Sequence, residues 1–172
     1  MTPRVASDTV QRHECSFVVE APRHRVWRLL HPKDEGLPVP RSFDHPNGTI
    51  TIHRNGDADG EGLVRSCTFP VPRYLLSGGV ARSFEVVVEA RKNEYARYLA
   101  NGKPLHSAAE GWHTLEAIDD TTTRLSFVET YHAHNPLLRR LFEGRVHRFI
   151  SHHNADTYTK VLAHLGRVTR ER

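Results

Sequence analysis

The spacing of apolar positions changes twice along the chain, and the changes divide it into elements. Residues 14–20 alternate, with Cys15, Phe17 and Val19 on one face and Ser16 and Val18 on the other, which predicts a strand. Pro22 then opens a short helical pattern, PRHRVWRLLH, that places Val26, Trp27, Leu29 and Leu30 inward. Residues 33–46 carry three prolines and a glycine and are expected as loop. Beyond them the period drops from about 3.6 to 2 and stays there for about 85 residues. Strands are expected over 48–55, 62–69, 81–91, 94–101, 105–118 and 122–134. Asn101-Gly102 and Asp119-Asp120 mark tight connections, and the proline- and glycine-rich insert 70–79 reads as non-ladder.

The period returns to 3.6 in residues 135–166, NPLLRRLFEGRVHRFISHHNADTYTKVLAHLG. Asn135 suits an N-cap, Pro136 sits where a missing N–H costs nothing, and Gly166 suits a left-handed stop. About 30 residues at 1.5 Å each make a helix of roughly 45 Å. Its apolar stripe includes Leu138, Leu141, Phe142, Val146, Phe149, Ile150, Val161, Leu162 and Leu165. The polar run SHHNAD at 151–156 interrupts it. Gly144 is expected to mark a close-packing position. A strand, a helix, about six strands and one long helix imply an α+β architecture. A curved antiparallel sheet of six to seven strands wraps the C-terminal helix and leaves an internal cavity.

Composition narrows the function without naming it. With 172 residues the chain fits one domain, divided here as a flexible segment 1–12, a domain over 13–166 and a basic tail 167–172. A net charge of +4 without a dense Lys/Arg tract argues against nucleic acid as a partner. Cys15 and Cys67 read as buried thiols in strands. No run approaches 18 apolar residues and residues 1–14 lack the apolar core of a signal peptide. An integral membrane segment is therefore not expected, and the protein is read as cytoplasmic.

Candidate chemistry follows from strand parity. Leu125 and Phe127 share a face with Glu129 and Tyr131, and Leu115 shares one with His113. On the helix His153 continues the stripe of Phe149 and Ile150, with Asp156 and Thr157 a turn on. The ligand-contacting set is expected to be Phe84, Val86, Tyr98, His113, Phe127, Glu129, Tyr131, Phe149, His153 and Thr157. Val88 is read with them as wall or core. Mostly apolar walls with a few oriented polar groups suit a small hydrophobic molecule. Glu129, His113, His153 and Asp156 are the candidates for acid–base catalysis, since burial raises a carboxylate's pKa and histidine titrates near neutrality. The plainer alternative is that these groups are hydrogen-bonded core or rim residues.

Thirteen histidines raise the question of a metal. His132 and His134 form an HxH pair, but His152 and His153 are adjacent on a helix and point about 100° apart, so neither a metal nor any cofactor is expected. Arg139, Arg140, Arg145 and Arg148 read as a solvated helix face, with an anionic headgroup surface as the functional alternative, and a homodimer is allowed.

The layout and its motifs resemble the START and birch-pollen-allergen-like helix-grip superfamily (SRPBCC), within it the polyketide cyclase/dehydrase and lipid-transport branch. FVVEAPRHRVWRLL, GEGLVRSCTF, SFEVVVEARKNEYARY, TLEAIDDTTTRLSFVETY and the closing helix carry the resemblance, over residues 14–166. It implies a hydrophobic cavity between sheet and helix that binds a lipid- or polyketide-like ligand. The alternative it implies is a cyclase, aromatase or dehydratase. No Rieske cysteine–histidine pairs are present, which excludes the oxygenase branch, and no family site carries over.

Overall fold

The alternating segments form one antiparallel sheet in a computed structural model that describes residues 11–32, 37–45, 48–75, 78–103 and 105–171. In chain order the elements are β1 (Gln11–Val19), α1 (Arg23–Leu30), β2 (Arg41–His45), β3 (Gly48–Arg54), β4 (Val64–Pro70), a 3-10 turn at Arg73–Leu75, β5 (Val80–Arg91), β6 (Tyr95–Lys103), β7 (Ser107–Ala117) and β8 (Thr123–Ala133). The C-terminal helix comprises α2 (Pro136–Leu138), a π-helical turn at Arg139–Glu143 and α3 (Gly144–Leu162), and β9 (Val168–Glu171) closes the chain. The sheet order is β2-β3-β4-β5-β6-β7-β8-β1-β9. This is the helix-grip architecture.

Nine strands among the described residues exceed the expected six to seven, for two reasons. Arg41–His45, expected as loop because of its prolines, pairs with β3 as an edge strand, where the ladder is open on one side. Residues 168–171, expected as basic tail, pair with β1 through Ser16–Glu171 to Val19–Val168, and Glu171 accepts from Ser16 at 2.8 Å. Residues 33–36, 46 and 76–77, parts of the two expected loops, lie outside the described residues, as do residues 1–10 of the N-terminal segment.

Other local expectations meet mixed outcomes. Asn135 caps the helix, its Oδ1 accepting from Leu137 N at 2.9 Å and Leu138 N at 3.1 Å. Asp119 closes the β7–β8 turn by accepting from the Thr121 amide. Asn101-Gly102 is not a turn. Both residues pair within β6, and the connection follows at Leu105 and His106, which hold positive φ of 66° and 48°. Gly166 is not the helix stop either, since α3 ends at Leu162. A Cβ at Gly166 would stand 2.2 Å from the Glu20 carbonyl oxygen, so it is glycine because two backbones meet there. Gly144 is no close-packing position: a Cβ there meets open space.

The inner face of the sheet changes character along its strands. At one end the cross-strand rows are Phe17–Leu125–Leu115 and Cys15–Phe127–His113. These pack under Val26 and Trp27 of α1 and Leu162 of α3, a solid core in which each large apolar side chain contributes about 1.5–3 kcal/mol. At the other end the rows are Glu85–Ala100–Ala109 and Cys67–Ser83–Gly102–Ser107. Side chains this small cannot span the gap to the helix.

Candidate functional site

The gap is a cavity of about 400 Å3 between the sheet and α3. Leu30, Ile50, Phe69, Phe127, Ile150 and Val161 give it apolar walls, and a short set of polar groups faces inward.

Glu129 is the centre of that set. Tyr98 OH donates to its Oε2 at 2.6 Å, and Asn154 Nδ2 on α3 lies 3.5 Å from Oε1. The short contact depends on a glycine. Tyr98, Gly111 and Glu129 form one cross-strand row over β6, β7 and β8, and the tyrosine ring crosses the space above Gly111. A Cβ at Gly111 would lie 2.2 Å from Tyr98 Cζ, so no other residue fits. Burial pushes the Glu129 carboxyl up to about 7, partly offset by the Tyr98 hydrogen bond and reinforced by Glu85. Tyr98 is itself raised well above its ordinary value by burial and then by Glu129.

Two rows away lies an ion pair. Arg65 on β4 donates from Nε to Glu85 Oε2 at 2.8 Å and from an Nη to the Leu30 carbonyl at 3.1 Å, both side chains being largely buried. Ser83 completes Glu85 by donating at 3.0 Å. Cys67 beside them is pushed up to about 12 by burial and by Glu85, which keeps it a thiol and a poor nucleophile.

His113 does not reach the cavity. It is 1% exposed and its Nε2 bonds the Tyr158 hydroxyl at 2.6 Å, so Tyr158, which does line the cavity, stands between. Burial drives His113 well below its ordinary pKa, with His31 and Arg65 adding to the effect. His31, at the end of α1, is lowered to about 3 by burial and by Arg65. Both rings are neutral core groups, His31 stacking on Trp27 at 4.1 Å between centroids.

Of the other expected residues, Tyr98, Phe127, Tyr131, His153 and Thr157 line the cavity. His153 stacks on Phe69 at 4.9 Å and on Phe149 at 5.8 Å, and burial lowers its pKa. Phe149 supports that ring from outside the cavity wall, within a second apolar cluster that includes Val71, Leu75 and Val146. Asp156 points to solvent with His152, their side chains 3.4 Å apart and 52% and 78% exposed. The α-helical period places them there, a turn apart on the outer face, so Asp156 cannot join Glu129.

Phe84 and Val86 are also displaced from the expected set. Phe84 is 52% exposed, its ring tilted against His53 of the outer face at 5.8 Å between centroids, and Val86 shares that face. Ser83, Glu85 and Val87 take the inner positions, and Val88 is the extra residue of a bulge between Val87 and Glu89. The usual rule that apolar side chains face inward is inverted on β5, because the interior here is a partly polar cavity. Arg65, Glu85, Gly111, Asn154 and Tyr158 were missed by sequence reasoning. The position of Arg65 two residues before Cys67, and so on the same strand face as that expected buried thiol, is the available sign for the first of them.

Among the described residues no three His, Cys, Asp or Glu side chains are grouped as a metal ion would need. His132 and His134 are not joined by His152 or His153. His132 instead contacts Arg139 and lies 4.0 Å from Glu143, a buried carboxylate that accepts from the Ala133 amide at 2.7 Å. Among the described residues no helix is long and apolar enough to cross a membrane.

The helix-grip fold is shared with solved structures of low sequence identity. Three solved structures carry the likeness. A conserved protein from Geobacillus kaustophilus superposes with a TM-score of 0.62 at 14% identity, over 92% of this chain and 99% of that one. Ara h 8.0201 gives 0.61 at 14% identity, over 91% and 97%. The Zhui aromatase/cyclase from a Streptomyces species gives 0.55 at 16% identity, over 91% and 93%. Identities this low establish the fold and no activity. No family model matches the chain, and no curated protein matches its sequence.

Proposed function

We propose that the protein binds a small hydrophobic molecule, lipid- or polyketide-like in its apolar body, in the cavity between sheet and α3. The observation that carries this reading is the run of small residues, Ala100, Ala109, Gly102, Ser83 and Ser107, that holds open about 400 Å3 among apolar walls. Small-molecule sites have volumes of about 300–1,000 Å3 and few oriented polar groups. Tyr98, Phe127, Glu129, Tyr131, His153 and Thr157 contact the ligand in this reading, His113 positions the Tyr158 hydroxyl, and Phe149 backs His153. Solved structures that share the fold include an aromatase/cyclase, which is compatible with such a pocket.

A second reading is favoured by one specific observation. Glu129 titrates near neutrality in an apolar site, as a general base for a cyclase-, aromatase- or dehydratase-type reaction must. Glu129 is the candidate base, with His153 as the other acid–base candidate that lines the cavity, since His113 and Asp156 are placed elsewhere. Native mass spectrometry of freshly purified protein tests the binding reading. A copurified small molecule, lost on acid denaturation, is expected. Absence of any such molecule, together with failure to take up the neutral dye Nile red, would overturn it. Ligand binding kept in Glu129→Gln with turnover abolished would select the enzyme.

A further inference from the structure

The polar groups of the cavity are unevenly matched. Asp44, Glu85 and Glu129 line it against one guanidinium, that of Arg65, among the described residues. Arg65 is matched by Glu85, its direct cross-strand partner at 2.8 Å. Asp44 sits at the exposed margin. Glu129 is left deep in the cavity with no cationic partner among the described residues, in a chain whose overall charge is +4.

The neighbours of Glu129 can also support its ionised form. Tyr98 donates its hydroxyl proton to Oε2, and Asn154 presents its amide nitrogen to Oε1. Both groups can donate to an ionised carboxylate, the form an organic cation would pair with. The titratable groups around it give no counter-charge. His13, opposite Glu129 on β1, is driven toward its neutral form by burial and by Arg170. His153 on α3 is lowered by burial, Tyr158 stays protonated, and Glu85 adds a like charge. Aromatic side chains meanwhile line the same cavity: Phe43, Phe69, Tyr98, Phe127, Tyr131 and Tyr158. A buried carboxylate among aromatic faces is the chemistry that recognises an organic ammonium ion, by ion pair and by attraction to the rings.

From this arrangement we infer that the cavity selects a hydrophobic amine, its ammonium group paired with Glu129 and its apolar body toward Phe127, Ile150 and Val161. The inference rests on the cavity being a ligand site and adds the charge of the ligand. It explains why a carboxylate that costs stability is kept: the ligand supplies the missing cation. It also gives Gly111 a role in recognition, because without the space above it Tyr98 could not hold the carboxylate in place.

Matched probes test it by calorimetry: 2-(1-naphthyl)ethylamine, 2-(1-naphthyl)ethanol and 1-naphthylacetic acid share one body and differ in the charge of the end group. At about pH 8 the amine is expected to bind at least roughly tenfold more tightly than the alcohol, the range of a charge-assisted hydrogen bond, with the acid weakest. The advantage should shrink in Glu129→Gln and at about pH 5.5, where Glu129 takes up a proton. Tyr98→Phe is expected to narrow it less. The alcohol or acid binding as tightly as the amine, or an amine preference unchanged in Glu129→Gln, would overturn the inference and leave the binding site intact. Failure of all three probes with Nile red still taken up would also overturn it, whereas failure of Nile red as well would remove the binding site itself. Circular dichroism and a thermal melt of each variant establish that it is folded.

Discussion

The two ends of the inner sheet face share strands, helices and solvent conditions, yet one is filled and the other hollow. At the filled end Phe17, Leu115, Leu125, Trp27 and Leu162 meet in a contiguous core. At the hollow end Ala100, Ala109, Gly102, Ser83 and Ser107 face α3 across a cavity that also holds Arg65, Glu85 and Glu129. The same β6, β7 and β8 serve both, so the difference is written in side-chain volume along each strand. The filled end supplies stability, and the hollow end spends part of it on desolvated polar groups. That division is what a binding protein with one small domain requires, and it turns into measurable contrasts.

The largest contrast is in stability. Phe17→Ala at the filled end is expected to cost about 3–5 kcal/mol in denaturant unfolding, while the remaining folded protein binds Nile red as before. An effect below about 1 kcal/mol would mean that the filled end is not the core.

Next is the pH dependence, in which the two ends have opposite signs. His31 and His113 ionise near 6.5 when unfolded and at lower pH when folded, His31 at about 3. Below pH 6.5 the unfolded chain binds more protons, so their contribution to stability is lost as pH falls toward 3. Glu129 behaves in reverse, with about 7 in the folded chain against 4.5 as its ordinary value. The folded chain binds more protons between those limits, and stability falls as pH rises through them. Glu129→Gln should therefore stabilise the ligand-free protein at about pH 8 by roughly 1–3 kcal/mol. Destabilisation by that substitution at high pH would contradict the picture of an uncompensated carboxylate.

Gly111→Ala comes third. The added methyl displaces the Tyr98 ring, at a cost of about 1–3 kcal/mol, and breaks its bond to Glu129. Carboxyl NMR should then show Glu129 titrating above its wild-type midpoint, because the lost hydrogen bond favoured the ionised form. Tyr98→Phe should shift the midpoint the same way without the strain. An unchanged midpoint in both would show that Tyr98 does not hold Glu129. The smallest effect is expected on the outer face, where Phe84→Ser should change stability by no more than about 0.5 kcal/mol and leave dye uptake unaltered.

Much of the filled end was legible in the sequence. The alternation of Cys15, Phe17 and Val19, and of Leu125 and Phe127, gave correct faces because a packed core obeys the rule that apolar positions point inward. Parity extended that rule far enough to place Glu129 and Tyr131 on the cavity side. The rule failed on β5, where apolar Phe84 and Val86 lie outside and polar Ser83 and Glu85 inside. Register was the other obstacle. The Tyr98–Gly111–Glu129 row joins residues 13 and 18 positions apart, and only the strand pairing shows that Gly111 clears a path for the ring. Asp156 was misplaced because the SHHNAD run straddles two helix faces: His153 and Asn154 face the cavity, while His152 and Asp156 face solvent. The polar interruption in the helix stripe marked the cavity, but of its six residues only His153 and Asn154 line it.

Whether the hollow end admits a ligand is decided by Nile red titration of the wild type and of Ala109→Leu. Ala109 lies in the row of small residues opposite α3, and leucine there fills part of the cavity while adding apolar contact. Saturable uptake of one dye per wild-type molecule is expected, with at least a roughly tenfold weaker Kd in the variant and both proteins equally folded. Equal affinity in the two proteins would place the dye on the surface and leave the hollow end without a ligand.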